Sequence, residues 1–104
     1  MADKTIMLVC AAGMSTSLLV NKMKAAAEAK GVEAEIWAEP IDMAKTEIPK
    51  ADVVLLGPQV KYALKDLKVI AEENNKPIEV INMLDYGMMN GAKILDVALN
   101  LIKE

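Results

Sequence analysis

The sequence predicts an α/β protein with a single domain over residues 1–104, built as a three-layer sandwich. Its centre is a four-stranded parallel sheet in the order 2-1-3-4, with helices on both faces, because strand-like and helix-like segments alternate along the chain. Two strand segments, 5–9 and 53–56, hold no charged residue, as expected of central strands covered on both faces. The other two, 32–38 and 78–81, contain glutamates and are expected at the sheet edges.

Helices are predicted between and after these strands. They span residues 18–30, 41–50, 60–74 and 92–103, the second being short and less regular. The first helix is expected to begin near Ser15 or Thr16, which are good capping residues, and to end at Gly31. Residues 82–91 are expected to form a loop or an irregular start of the last helix.

The long helices each carry an apolar face for the core. The core-facing residues are Leu19, Met23 and Ala26 in the first helix, Leu64, Leu67 and Ala71 in the third, and Leu95, Ala98, Leu99 and Ile102 in the last. Charged residues occupy the opposite faces. Trp37, near the end of the second strand, is expected to pack against the first or second helix.

Composition excludes several classes of function. A net charge of −3 gives no basic surface for nucleic acid. No apolar run approaches the roughly 20 residues that span a bilayer, and the first residues lack the features of a secretory signal. A single cysteine forms no intramolecular disulfide, which favours the reducing cytoplasm. The chain also lacks histidine and arginine, so we expect no metal site and no cofactor.

The stretch from Cys10 to Ser17 is the candidate site, and we call it the cysteine loop. It leaves the first buried strand and enters the first helix, so its backbone N–H groups and the helix dipole favour an oxyanion. The same environment stabilises a thiolate, which is the nucleophilic form of cysteine. We therefore predict that Cys10 carries a phosphoryl group. The predicted phosphate-binding residues are Ala11, Ala12, Gly13, Met14, Ser15, Thr16 and Ser17.

The residues of this loop also allow a purely structural interpretation. A lone cysteine after a strand is often a small buried apolar side chain, and Ser-Thr-Ser before a helix is often only a cap. Local pattern alone leaves both interpretations open.

Three blocks of the chain together resemble a known family. The segment from Leu8 to Val20, which contains the cysteine loop, is similar to the active-site loop of enzyme IIB components of the phosphoenolpyruvate-dependent sugar phosphotransferase system, lactose/cellobiose/chitobiose type. Residues 51–60, and residues 76–81 leading into Tyr86-Gly87, resemble the same family. The resemblance covers essentially the whole chain in collinear order.

The resemblance implies a function and a set of partners. Cys10 would accept a phosphoryl group from a phosphohistidine of the IIA component and pass it to a sugar delivered by the membrane IIC permease. The protein would be a cytoplasmic phosphotransferase, transiently associated with the permease. We expect a monomer, because a shuttle of this kind must dock to two partners. The sugar would be a cellobiose-, chitobiose- or lactose-like disaccharide. The implied fold is similar to that of the low-molecular-weight tyrosine phosphatases and agrees with the sheet order predicted above.

The cysteine loop departs from those phosphatases at one position. They use Cys-x5-Arg, in which the arginine stabilises the transferring phosphoryl group, whereas Thr16 stands at the arginine position here. We therefore expect a phosphocysteine that forms but is not hydrolysed efficiently. A phosphoryl relay needs this property.

Residues outside the loop are expected at its rim. Gln59 and Tyr62 follow the third strand and could contact the phosphoryl group, IIA or the sugar, or simply form a helix start with a half-buried tyrosine. Met14, Met83, Met88 and Met89 could form an adaptable contact surface, although core filling is expected for most of them and Met14 is the best exception.

Two other classes of function compete with the relay. A cysteine phosphatase or thiol-based arsenate reductase is disfavoured because arginine and a second cysteine are missing. A flavodoxin- or receiver-like binding module is the other alternative. A receiver would have an aspartate at the end of the third strand, where this chain has Gly57, and Asp52 lies at the opposite end of that strand.

Overall fold

The computed structural model is a four-stranded parallel sheet with helices on both faces. It describes residues 4–10 and 14–102, and the side chains of residues 4–10 and 17–102. The strands are β1 (Lys4–Cys10), β2 (Ala34–Pro40), β3 (Val53–Leu56) and β4 (Ile78–Val80), and the α-helices are α1 (Met14–Lys30), α2 (Ile41–Glu47), α3 (Leu64–Glu73), α4 (Met83–Gly87) and α5 (Gly91–Ile102). Short 3₁₀ helices cover Ile48–Lys50 and Pro58–Ala63.

The sheet order β2-β1-β3-β4 confirms the prediction. All pairs are parallel, and the register places Leu8 beside Ala38 on one side and Leu55 on the other. The two uncharged strands are the central ones. Buried strands exclude unpaired charge, and this is why composition alone could order them.

Two apolar clusters cover the two faces of the sheet. We call the cluster beneath α1 and α5 the first cluster; it contains Ile6, Leu8, Val53 and Leu55 from the strands. The second cluster, beneath α2 and α3, contains the alternating strand residues Met7, Val9, Val54 and Leu56. Trp37 packs against the second cluster together with residues of α2, as expected. Side-chain alternation therefore assigns every strand position to one face.

The second strand begins two residues later than predicted, at Ala34, and runs on to Pro40. The end of α1 explains the late start: the N–H of Val32 donates to the carbonyl of Ala27, and the N–H of Gly31 donates to that of Glu28. With Gly31 at φ +74°, this is a Schellman cap, which holds Val32 at the helix end rather than in the sheet.

The third helix also begins later than predicted. Residues Pro58–Ala63 form a 3₁₀ segment, interrupted by non-helical backbone at Val60, and the α-helix covers Leu64–Glu73. Pro58 supplies no N–H and follows the strand after one residue, Gly57, so the chain turns tightly before a regular helix starts. Residues 82–91 were expected to form a loop or an irregular helix start. Within this segment, residues 83–87 form the short helix α4.

The core-facing residues of the helices were largely identified correctly. Leu19, Met23, Leu67, Ala71, Leu95 and Ala98 are all buried. In α1, Val20 and Ala27 are buried as well, whereas Ala26, which was predicted to face the core, is only partly buried. Within the described part of the chain, no helix is both long enough and apolar enough to cross a membrane.

Candidate functional site

The carboxyl ends of the central strands bring Cys10 and Gly57 together. Val9 pairs with Leu56 in the parallel ladder, and the N–H of Gly57 donates a 3.0 Å hydrogen bond to the carbonyl of Val9. The next position along each strand is Cys10 and Gly57, respectively. The predicted placement of the cysteine at the carboxyl edge beside Gly57 is therefore confirmed.

The Cys10 side chain is buried on the face of the first cluster. Ile6 and Leu8 point to that cluster, so alternation along β1 directs Cys10 to the same side. The residue is only 2% exposed, and its thiol donates a weak 3.8 Å hydrogen bond to the carbonyl of Glu39 on β2. Only the protonated thiol can donate in this way, so ionisation or phosphorylation of the sulfur ends the contact.

The remainder of the cysteine loop lies mostly outside the described residues. Ala11, Ala12 and Gly13 are in this part, as are the side chains of Met14, Ser15 and Thr16, so their predicted phosphate contacts remain predictions. The backbone of α1 is helical from Met14, one residue before the expected start. Ser17 is exposed in its first turn. A helix of 17 residues thus begins within four residues of Cys10.

Gly57 is a point of close approach between the strand end and a side chain. A Cβ atom at this position would lie 2.6 Å from Oε1 of Gln59 and 3.6 Å from Cε1 of Tyr86. Val53 and Leu55 belong to the first cluster, so this Cβ would point to the same face as Cys10. Gln59 and Tyr86 therefore occupy the space beside the cysteine that a side chain at position 57 would otherwise fill.

Gln59 and Tyr86 are joined by a hydrogen bond in which Nε2 of Gln59 donates to Oη of Tyr86 at 2.9 Å. The sequence prediction placed Gln59 at the rim but gave no role to Tyr86. The signal that could have found it was topological: Tyr86 follows β4 closely, at the edge of the sheet where Cys10 lies.

The start of α4 fixes the position of Tyr86. Oδ1 of Asn82 accepts hydrogen bonds from the N–H groups of Leu84 at 2.9 Å and Asp85 at 3.1 Å, and the Asn82 carbonyl accepts from the N–H of Tyr86 at 2.9 Å. This is an N-cap, in which a side chain satisfies N–H groups that lack a helical partner. One turn of helix is enough to bring the tyrosine over Gly57.

An open pocket of about 360 Å³ lies beside the Gln59–Tyr86 pair. Pro58, Gln59, Met83, Tyr86 and Gly87 line it. Its surface combines an aromatic ring and aliphatic carbon with a carboxamide, which suits a ligand that has both apolar faces and hydroxyl groups.

The other predicted rim residues are more exposed than expected. Tyr62 is 73% exposed, so the half-buried alternative was wrong for its side chain. Met83 and Met88 are 68% and 70% exposed, which contradicts core filling for these two. Met89 does pack against the first cluster, and the Met14 side chain is outside the described residues. The short α4 can bury only one side, so its other side presents methionine to solvent.

Asp52 lies at the opposite edge of the sheet from Cys10. Its Oδ2 accepts a 2.9 Å hydrogen bond from the N–H of Thr5, and its own N–H donates to Oγ1 of Thr5 at 2.9 Å. The aspartate thus ties the amino-terminal ends of β1 and β3 together. It has the structural position expected of it and not that of a receiver phosphorylation site.

Fold and site together define a class of protein: a small parallel α/β protein whose only cysteine ends the first strand at the ligand-binding edge of the sheet. The sequence model of the family described as "PTS system, Lactose/Cellobiose specific IIB subunit" matches residues 5–97. The chain belongs to this family and is a sugar-transport phosphotransferase-system IIB component.

Curated relatives match over nearly their full length. The oligo-β-mannoside-specific EIIB component of Bacillus subtilis is 50% identical over 95% of this chain and 96% of its own length. The galactose-specific and cellobiose-specific EIIB components of two Lactococcus lactis strains are each 52% identical over 98% of this chain and 99% of theirs. The relatives differ in the sugar that they name, so similarity at this level does not select one.

Solved structures share the fold. The cellobiose-specific IIB component of Borrelia burgdorferi is 42% identical with a TM-score of 0.80, covering 95% of this chain and 91% of that one. The lactose-specific IIB domain of Streptococcus pneumoniae has a TM-score of 0.86 over 96% and 98% of the two chains, although only 20% of residues are identical. The architecture therefore persists where most side chains differ.

Proposed function

We propose that Cys10 accepts a phosphoryl group from a phosphohistidine of a IIA component and transfers it to a sugar held by a membrane IIC permease. The observation that carries this proposal is the position of Cys10, the only cysteine, at the carboxyl end of a central strand and just before the start of α1. Residues Ala11 to Ser17 would bind the phosphoryl oxygens, and Gln59 and Tyr62 would lie at the rim.

The two transfers balance without an additional reactant. In the first, the N–P bond of the phosphohistidine breaks and the Cys10 thiolate forms an S–P bond. The imidazole, which carries a proton on its other ring nitrogen, leaves as a neutral ring with the N–P electron pair. In the second, the S–P bond breaks while the sugar hydroxyl oxygen forms an O–P bond. The hydroxyl proton passes to a base of the permease or to water, and the sulfur departs as the thiolate with the electron pair of the S–P bond.

The composition of the chain supports a carrier over a hydrolase. With neither histidine nor arginine in the sequence, Cys10 is the strongest candidate nucleophile, and no guanidinium can stabilise the phosphoryl group during attack by water. Phosphoryl transfer depends mainly on positioning and charge stabilisation. Because the chain lacks this arginine, we expect the second transfer to require a nucleophile that the partner holds in position.

The proposal is tested by incubating the protein with ³²P-labelled IIA proteins of the lactose/cellobiose class and mapping the labelled peptide. We expect label on Cys10 and none on Cys10→Ser or Cys10→Ala. Label retained fully by Cys10→Ser, or a wild-type protein that takes no label from any of these donors, would contradict the carrier function. Steady hydrolysis of p-nitrophenyl phosphate would favour a phosphatase instead.

A further inference from the structure

Resting on the proposed function, we infer that Gln59 accepts a hydrogen bond from the attacking hydroxyl of the sugar, and that Tyr86 is the positioning residue that orients it. The inference assigns both residues to the second phosphoryl transfer and to no other step. The sugar itself remains in the permease, which presents its hydroxyl group to this edge of the sheet.

The first argument is the location of the carboxamide. Oε1 of Gln59 lies above Gly57, on the face of the sheet to which the Cys10 side chain points. Neighbouring strands are about 4.8 Å apart, so the Gly57 backbone beneath the carboxamide lies at about that distance from the Cys10 backbone. A hydroxyl group hydrogen-bonded to Oε1 would therefore lie close to a phosphoryl group carried on the sulfur.

The second argument is the direction of the carboxamide. Its nitrogen is held by Oη of Tyr86, so its oxygen is turned toward Gly57 and the cysteine side of the site. Among the described residues, none donates a hydrogen bond to this oxygen. An acceptor in that place suits a hydroxyl donor, whereas phosphoryl oxygens are themselves acceptors and gain nothing from it.

The third argument is the pocket beside the pair. Its volume of about 360 Å³ is open to solvent, so a hydroxyl group that the permease presents can reach the carboxamide. Met83 is exposed, so this pocket is accessible within the described part of the chain.

The chemistry distinguishes the two transfers. The phosphoryl group arrives from IIA on an imidazole nitrogen, which brings no hydroxyl to orient. The sugar brings a hydroxyl whose oxygen must lie in line with the S–P bond. Gln59 does not remove the proton, which passes to a base of the permease or to water as described above. It fixes the oxygen in an attacking position, and such positioning contributes strongly to phosphoryl transfer.

Three variants test the inference by different routes. Gln59→Leu removes the acceptor, and Tyr86→Phe removes only the hydroxyl oxygen that holds Nε2. Gly57→Ala leaves both side chains intact but displaces the carboxamide, because the new Cβ would lie 2.6 Å from Oε1. Its backbone, at φ −61° and ψ 148°, accepts alanine without strain. Asn100→Leu, the same kind of amide-to-apolar change at an exposed site on α5, is the control.

The measurement follows the two transfers separately. Labelled IIA of the lactose/cellobiose class donates the phosphoryl group, and permease-containing vesicles with cellobiose, galactose or a β-mannoside accept it. We expect the three variants to take label from IIA within about twofold of the wild-type rate. Transfer from the phosphorylated variants to the sugar should slow by at least about tenfold. In the complete reaction, kcat should therefore fall while the KM for IIA changes less. The control should match the wild type in both steps.

Distinct outcomes separate the two proposals. If Cys10 takes no label at all, the proposed function fails. If the wild type relays the phosphoryl group and the three variants do so equally fast, the role of Gln59 and Tyr86 fails while the function stands. Equal slowing of both transfers would also overturn the inference, because it would indicate a general effect on the cysteine loop. Thermal unfolding checks that each variant is folded.

Discussion

Gly91, at the start of α5, packs directly against the backbone of Lys22 in α1. A Cβ atom on Gly91 would lie 2.7 Å from the Lys22 carbonyl carbon and 2.9 Å from its carbonyl oxygen. Contact with backbone cannot be relieved by rotating a side chain, so this glycine determines how closely the two helices approach above the first cluster.

Gly91→Ala is expected to destabilise the protein. The two helices must separate, which costs about 1–3 kcal/mol of unfolding free energy, as other overpacked sites do. Chemical denaturation measures the change. Gly87→Ala is the matched control, since a Cβ there meets nothing within 4 Å and should change stability little. Equal effects of the two substitutions would show that the helix contact does not limit packing.

Leu55→Ala is expected to reduce stability by about 2–5 kcal/mol. Leu55 is 1% exposed in the centre of the first cluster, where removing the side chain leaves a cavity. Leu84→Ala makes the same chemical change on α4, where the side chain is 69% exposed, and should cost well under 1 kcal/mol. A small loss for Leu55→Ala in urea unfolding would mean that the sheet can close around the deleted side chain.

Asn82→Ala is expected to destabilise the start of α4 and, with it, the position of Tyr86. Loss of the two accepted hydrogen bonds should cost about 0.5–2 kcal/mol and should slow transfer to the sugar more than uptake from IIA. Asn82→Asp retains a capping oxygen and should restore both properties. If Asn82→Ala lowers stability but leaves sugar transfer unchanged, α4 does not need its cap to hold the tyrosine.

Asp52→Ala is expected to lower stability without changing phosphoryl transfer. The substitution removes the acceptor for the Thr5 N–H, a partly buried charge-assisted contact worth about 1–3 kcal/mol. Labelling by phosphorylated IIA should proceed at the wild-type rate because Asp52 lies at the far edge of the sheet. Loss of label in this variant would reopen the receiver-like alternative.

The order of the strands and the position of the cysteine were predictable from local pattern. Strands 5–9 and 53–56 lack charge, and central strands of a parallel sheet exclude it. Ends of elements were less predictable, as β2 shows: the Schellman cap that holds Val32 depends on the exact geometry of the last helical turn.

The contents of the site depended more on tertiary structure. Gln59 could be placed near Cys10 because it follows a central strand, but its partner is 27 residues away in sequence. Tyr86 lies in a short helix with weak local preference, whose position is set by the Asn82 cap and by packing on the first cluster. The exposure of Met83 and Met88 follows from the same short helix and could not be read from residue type.

The sequence by itself determined the class of fold, the sheet order and the single cysteine at the carboxyl edge, because periodicity and charge report directly on burial. Membership of the family was also legible from its blocks of residues. Only the tertiary structure decided that Gln59 and Tyr86 meet above Gly57 beside that cysteine. Contacts between distant segments depend on how closely the helices and strands pack. The pattern of residues along the chain does not encode these distances.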